Sequence, residues 1–116
     1  MEFYRFILFT LFLAFPYLGY AWRIQLYRNP GYQVLILDKS GEFTQGCQNI
    51  DPALNDATSS LHWDSEGVFG LCTILLYRNA NCAINIGRST GDWDNPQFSN
   101  ANDNAVSSWR VLCPDP

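Results

Sequence analysis

Ile24 and Leu26 alternate with more polar neighbours, and Ile74 and Leu76 sit in the same kind of pattern fifty residues later. A period of two is that of a half-buried strand. Val34-Leu35-Ile36-Leu37 is a continuous apolar run of β-type residues, which predicts a strand covered on both faces or lying at a seam between two sheets. Asn29-Pro30-Gly31 and Asp38-Lys39-Ser40-Gly41 have the composition of turns. Beyond Ala21 no segment keeps a helical apolar period for more than a turn, although Asp51 to Asp56 has room for a short one. The pattern predicts an all-β chain of about eight short strands.

The pattern also repeats. Trp22-Arg23-Ile24-Gln25-Leu26-Tyr27-Arg28-Asn29 lies over Cys72-Thr73-Ile74-Leu75-Leu76-Tyr77-Arg78-Asn79 at an offset of 50 residues, and Ser40-Gly41-Glu42-Phe43 lies over Thr90-Gly91-Asp92-Trp93 at the same offset. Leu61-His62-Trp63 then matches Trp109-Arg110-Val111. Three blocks in one order indicate an internal duplication. Repeat one spans residues 22–66 and repeat two 71–113, with Asp64 to Leu71 linking them.

Between the matched blocks stand two hexapeptides, Asn55-Asp56-Ala57-Thr58-Ser59-Ser60 and Asp103-Asn104-Ala105-Val106-Ser107-Ser108. Each sets two acids or amides, two free positions and two hydroxyls in one tight turn. Oxygen-only donors suit a hard cation such as calcium. A single copy reads equally as an Asx turn entering a strand, because these side chains bond their own backbone. Two copies at equivalent places in a repeat favour the metal.

With these residues in place the chain resembles the βγ-crystallin superfamily. A strand ending in Tyr, a turn, a second strand, a Gly-acid-aromatic segment and N/D-N/D-x-x-S/T-S before a last strand is similar to its Greek key motif. The resemblance covers residues 22 to 113 and implies a sandwich of two Greek keys bridged by disulfides. It implies up to two calcium ions, held by side chains of Asn55, Asp56, Asp103 and Asn104, carbonyls of Ala57 and Ala105, and hydroxyls of Ser59 and Ser107. In the family each site takes ligands from both motifs.

The chain departs from the family at one place. Members usually carry Gly two residues beyond the aromatic of the first hairpin, where φ is positive, and here Val34 and Ile84 stand there. β-Branched residues resist that conformation, so a differently shaped hairpin is expected.

The first residues change the cellular setting. Met1 to Ala21 has a head with Arg5, an apolar run from Phe6 to Phe15 and small residues at Gly19 and Ala21. That is the form of a cleaved secretory leader, too short to span a bilayer. Residues 22–116 then form one small domain, which at that size buries only about two thirds of its surface.

In an oxidising compartment the even set Cys47, Cys72, Cys82 and Cys113 reads as two disulfides, with three pairings open. Zinc is the competing reading, but no pair has the spacing of a metal knuckle and His62 is the only histidine. The Greek key topology that the resemblance implies favours Cys72 with Cys113 and leaves Cys47 with Cys82.

The net charge is −4, and the leader holds one charge of each sign, Glu2 and Arg5. Mild acidity with scattered basic residues argues against nucleic acid and against an anionic membrane as partners. No asparagine begins an N-x-S/T sequon.

The chain has no G-x-S-x-G, no H-E-x-x-H and no phosphate loop. His62 sits between Leu61 and Trp63 on a strand and reads as structural. Glu42 and Asp92 hold equivalent places in the repeats, which points to duplicated structural roles rather than a carboxylate pair for glycoside cleavage. Tyr27 and Tyr77 read as corner or packing residues, and Trp63 and Trp109 as core. The resemblance places Phe43 and Trp93 against the hairpins. No enzymatic chemistry is expected.

Two functions remain. One is a secreted, monomeric calcium-binding domain whose metal chiefly stabilises the fold. The other is a secreted interaction protein, a toxin, effector or hydrolase inhibitor, acting on a protein or cell-wall glycan through a surface loop. The polar aromatic segment around Asp92, Trp93 and Asp94 is the expected contact, with no insertion into a membrane.

Overall fold

In the computed structural model, the described residues are 21–54, 57–99 and 102–116. The leader read at Met1–Ala21 lies outside them except for Ala21, as do Asn55 and Asp56 of the first hexapeptide.

Among the described residues ten strands form: β1 (Trp22–Asn29), β2 (Gln33–Gly41), β3 (Gln45–Asn49), β4 (Ser60–Asp64), β5 (Glu66–Gly67), β6 (Gly70–Leu71), β7 (Thr73–Asn79), β8 (Ala83–Thr90), β9 (Trp93–Asn95) and β10 (Ser108–Leu112). Eight of them make two four-stranded sheets, in the orders β2-β1-β4-β9 and β3-β10-β7-β8. The other two, β5 and β6, are a two-residue hairpin in the linker. The third strand of each repeat therefore leaves its own repeat. β3 pairs with β10, and β9 pairs with β4. This exchange makes the two Greek keys one cooperative body, because neither sheet is complete without the other repeat.

The alternating positions behave as the period of two predicts. Ile24, Leu26, Ile74 and Leu76 all face the core, with Leu61, Trp63, Val106, Trp109 and Val111. Trp22 lies at its centre, its ring 6.0 Å from the rings of both Trp63 and Trp109. Burying three indoles of this size supplies much of the apolar stabilisation of so small a domain.

The Val34–Leu37 run behaves differently from the expectation. β2 is an edge strand, covered on neither face at Val34 and Leu35, which are both exposed; Ile36 and Leu37 pack against the core. A register shift opposite Leu26 and Tyr27 breaks the alternation there, so the run cannot be read by period alone.

Val34 and Ile84 also overturn the expected change of hairpin shape. Both adopt left-handed backbone, φ 63° and 61°. Tertiary bonds hold them: Ser60 Oγ accepts from the Tyr32 amide and donates to the Asn29 carbonyl, and Ser108 Oγ does the same for Cys82 and Asn79.

Cys47 is bonded to Cys82, and Cys72 to Cys113. The first bridge ties β3 to the β7–β8 turn, across the strand exchange. The second joins the start of β7 to the residue after β10, the adjacency that the Greek key topology implied.

Candidate metal centre

The hexapeptides enter β4 and β10. In each, the fifth residue is anchored to the end of the first strand, the Ser59 amide donating to the Tyr27 carbonyl at 2.8 Å and the Ser107 amide to the Tyr77 carbonyl at 2.9 Å. The Ser59 and Ser107 carbonyls in turn accept from the Phe98 and Ile50 amides, each in the opposite repeat. Every serine of both pairs is buried. The turns are thus held by a two-fold set of backbone bonds, and their oxygens are placed by the sheets rather than by loop preference.

The two motifs meet. The Asn104 amide donates to the Thr58 carbonyl at 2.8 Å, and Ser59 Oγ lies 3.3 Å from Asn104 Oδ1, 45 residues away. That is long for a hydroxyl hydrogen bond, whose usual length is about 2.7–2.8 Å. It is close to the ~3.4 Å that separates two ligands at right angles on calcium, given Ca–O distances of about 2.4 Å. Asn104 has φ 58°, a left-handed turn that Asn tolerates.

The other expected ligands are placed as follows. Ala57 and Ala105 are half-buried, and Asp103 is exposed at the tip of a turn closed by the Ala105 amide on the Asn102 carbonyl. The expected counterpart pairs Ser107 with Asp56, and Asp56 and Asn55 lie outside the described residues. The donor chemistry fits a hard divalent cation: amide, carboxylate, hydroxyl and carbonyl oxygens, with no sulfur or imidazole. Among the described residues no three His, Cys, Asp or Glu side chains gather.

Sequence reasoning placed Asp92, Trp93 and Asp94 on a contact loop, and the structure corrects this. Trp93–Asn95 is strand β9, in register with Leu61–Trp63 of β4. Trp93 turns inward, half-buried against the core, and lines a small cavity with Leu76, Phe98 and Val106. Asp92 Oδ1 accepts from both the amide (2.8 Å) and the hydroxyl (2.9 Å) of buried Ser65. Those two bonds hold its carboxyl below the usual carboxylate range.

Asp92 and Asp94 are both exposed, and Asp94 has a partner on the neighbouring strand. Asp94 Oδ1 lies 2.6 Å from His62 Nδ1, and the imidazole stacks on Tyr32 at 3.7 Å. The local composition misled because every acid in the segment has its own partner.

Phe43, the counterpart of Trp93, differs again. It is exposed, against the expectation of packing on the hairpin. The Trp22 indole covers neighbouring Gly41, where a Cβ would come within 2.7 Å of it. The Trp22 Nε1 donates to the Phe43 carbonyl at 2.8 Å. In repeat two the place of Trp22 is taken by the small, bridged Cys72.

The residues missed altogether are Ser60 and Ser108. Their place beside the expected ligands disguised them, and the one available sign was that Asn29 and Asn79, which they bind, repeat with them.

No protein-family model and no curated protein matches the chain. Solved structures do. A βγ-crystallin domain from Clostridium beijerinckii is 19% identical, with 78% of this chain and 97% of that one covered and a TM-score of 0.54. One from Flavobacterium johnsoniae is 24% identical, over 80% and 97%, with a TM-score of 0.50. The N-terminal domain of protein S is 19% identical, over 81% and 99%, with a TM-score of 0.53. At such identities the likeness is one of architecture, and on it the chain has the fold of a βγ-crystallin domain.

Proposed function

We infer that this is a secreted, non-enzymatic calcium-binding domain in which the cation ties one repeat to the other. The observation that carries it is the approach of Ser59 Oγ to Asn104 Oδ1 across the duplication. One site would draw on Ser59, Asn104 and the carbonyl of Ala57 or Ala105, the other on Ser107 and Asp56, with Asn55 and Asp103 beside them. Bound calcium would replace the long hydroxyl–amide contact with two metal–oxygen bonds. Secretion is supported by the leader-like sequence and by two disulfides.

A site with Kd about 0.1 mM adds about 1.4 kcal/mol at about 1 mM calcium. Two such sites raise the melting temperature of a domain this size by about 10 °C or more. The test is a thermal melt in excess chelator and in millimolar calcium, beside the double variant Ser59→Ala, Ser107→Ala. A calcium-dependent rise that the variant lacks supports the reading; superimposable melts of the wild type would reduce the hexapeptides to strand-entry turns.

The second reading, a secreted toxin, effector or hydrolase inhibitor, draws on a different part of the molecule. Its support is the exposed aromatic surface at the far end of the sandwich, not the Trp93 segment.

A further inference from the structure

Most of the exposed large apolar side chains gather at one end of the sandwich. Phe43 is 56% exposed, Phe69 47%, Leu71 53% and Val68 37%. The rings of Phe43 and Phe69 lie 6.2 Å apart. Val68 and Phe69 form the tip of the β5–β6 hairpin, in which Gly67 pairs with Gly70. Nothing in the folding of the sandwich requires this: the core is complete without them, and a linker between repeats has no need of two apolar residues at its tip.

The hairpin is held firmly. A Cβ on Gly67 would meet Cys72 Sγ at 2.5 Å, so the base of the hairpin packs directly on the Cys72–Cys113 bridge. Ser65, just before β5, is pinned by Asp92, and the Cys72 amide donates to the Ser65 carbonyl at 2.7 Å. The Phe43 backbone is fixed by Trp22. An apolar tip supported in this way loses little freedom when it is covered.

Charge decides what covers it. The three segments that build this end, residues 40–50, 64–73 and 111–116, carry Glu42, Asp64, Glu66 and Asp115 and contain no Lys, Arg or His; Arg23, opposite Ser40 and Asp64, is paired with Asp38. Glu42, Glu66 and Asp115 have no ion pair among the described residues. A second copy would set these carboxylates against their own kind, and an anionic membrane would repel them. A cationic protein surface complements them.

We propose that the Phe43–Phe69 end is a docking surface for a basic protein partner, the two rings entering an apolar cleft and Glu42, Glu66 and Asp115 meeting Lys or Arg at its rim. This surface gives the interaction reading a location and does not depend on the calcium reading. It lies at the Trp22 end of β1, and Ser59 is anchored at Tyr27, about 17 Å along the strand.

The probe is a displayed library of short random peptides, selected against the oxidised domain. Enrichment of peptides that combine basic residues with an aromatic or aliphatic anchor is expected. A synthesised winner should bind about tenfold or more weakly to Phe43→Ser, Phe69→Ser and to Glu42→Gln, Glu66→Gln, and should weaken with added salt. Its binding should be the same in chelator and in Ser59→Ala, Ser107→Ala, which separates this surface from the metal sites. Circular dichroism and the melting temperature check that both surface variants fold. The proposal is overturned if nothing enriches, if winners lack basic residues, or if they bind the variants equally. It is equally overturned if the Phe69→Ser change dissolves a dimer seen by sedimentation, or abolishes binding to phosphatidylcholine vesicles, since the occupant would then be a second copy or a lipid surface.

Discussion

Thr58 and Val106 occupy the same place in the two hexapeptides, and both are fully buried. Only Thr58 brings a hydroxyl, and its Oγ1 has no hydrogen-bond partner among the described residues. An unpaired buried hydroxyl costs about 1–3 kcal/mol, and repeat two shows that a valine fits the same setting. Thr58→Val should therefore stabilise the domain by about 1 kcal/mol, seen as a higher midpoint in urea with an unchanged slope.

The left-handed Val34 and Ile84 are a second place where repacking is unnecessary. They are 56% and 60% exposed, so little burial is lost on truncation. Left-handed backbone costs an L-residue about 1–2 kcal/mol, and Gly gives back about 0.5–1 kcal/mol of that through the freedom of its unfolded chain. The double variant Val34→Gly, Ile84→Gly should gain about 1–2 kcal/mol and melt about 5–10 °C higher. A lower melting temperature would show that the side chains contribute more than their exposure suggests.

Adjacent serines should separate into two classes. Ser60 and Ser108 each satisfy a backbone donor and a backbone acceptor of a hairpin. Replacing either by Ala should cost about 2 kcal/mol, in chelator as much as in calcium. Ser59→Ala and Ser107→Ala should act chiefly on the difference between the two conditions. Calorimetry of the four single variants in both buffers measures both effects at once.

Asp92 links stability to pH. Its folded carboxyl is held below the unfolded value of about 3.9 by the Ser65 amide and hydroxyl. A depressed carboxyl contributes stability above the unfolded value and loses it as pH falls through the folded one. Asp92→Ala should lower stability by about 1–2 kcal/mol at neutral pH, mainly by leaving the buried Ser65 groups unpaired. The part due to ionisation should fade as the pH falls below the unfolded value of about 3.9 and through the depressed folded one, so denaturation curves should show the gap between variant and wild type narrowing in acid without closing.

Much of the fold was legible in the residues. The offset of 50 between the two strand-and-turn blocks, the period of two at Ile24/Leu26 and Ile74/Leu76, and the recurrence of the hexapeptides are local patterns that repeat because each repeat meets the same packing problem. Given two Greek keys, the neighbours Cys72 and Cys113 followed from topology. The expected ligands were legible as a set of oxygens.

Only the tertiary structure decided where those local pieces point. Whether an acid-rich segment such as Asp92–Asn95 is a loop or a strand depends on Ser65 and His62, roughly thirty residues away, which receive its charges. Val34 and Ile84 enter a conformation their own side chains oppose because Ser60 and Ser108 clamp the hairpin from another strand. Likewise Phe43 is exposed while Trp93 is half-buried over Gly87, although Phe43 and Trp93 hold equivalent positions. The repeat, the strand periods and the ligand types are properties of neighbouring residues, and the sequence by itself determined them. The exchange of β3 and β9, the meeting of Ser59 with Asn104 and the exposure of Phe43 come from contacts between distant segments, whose energies exceed local preference.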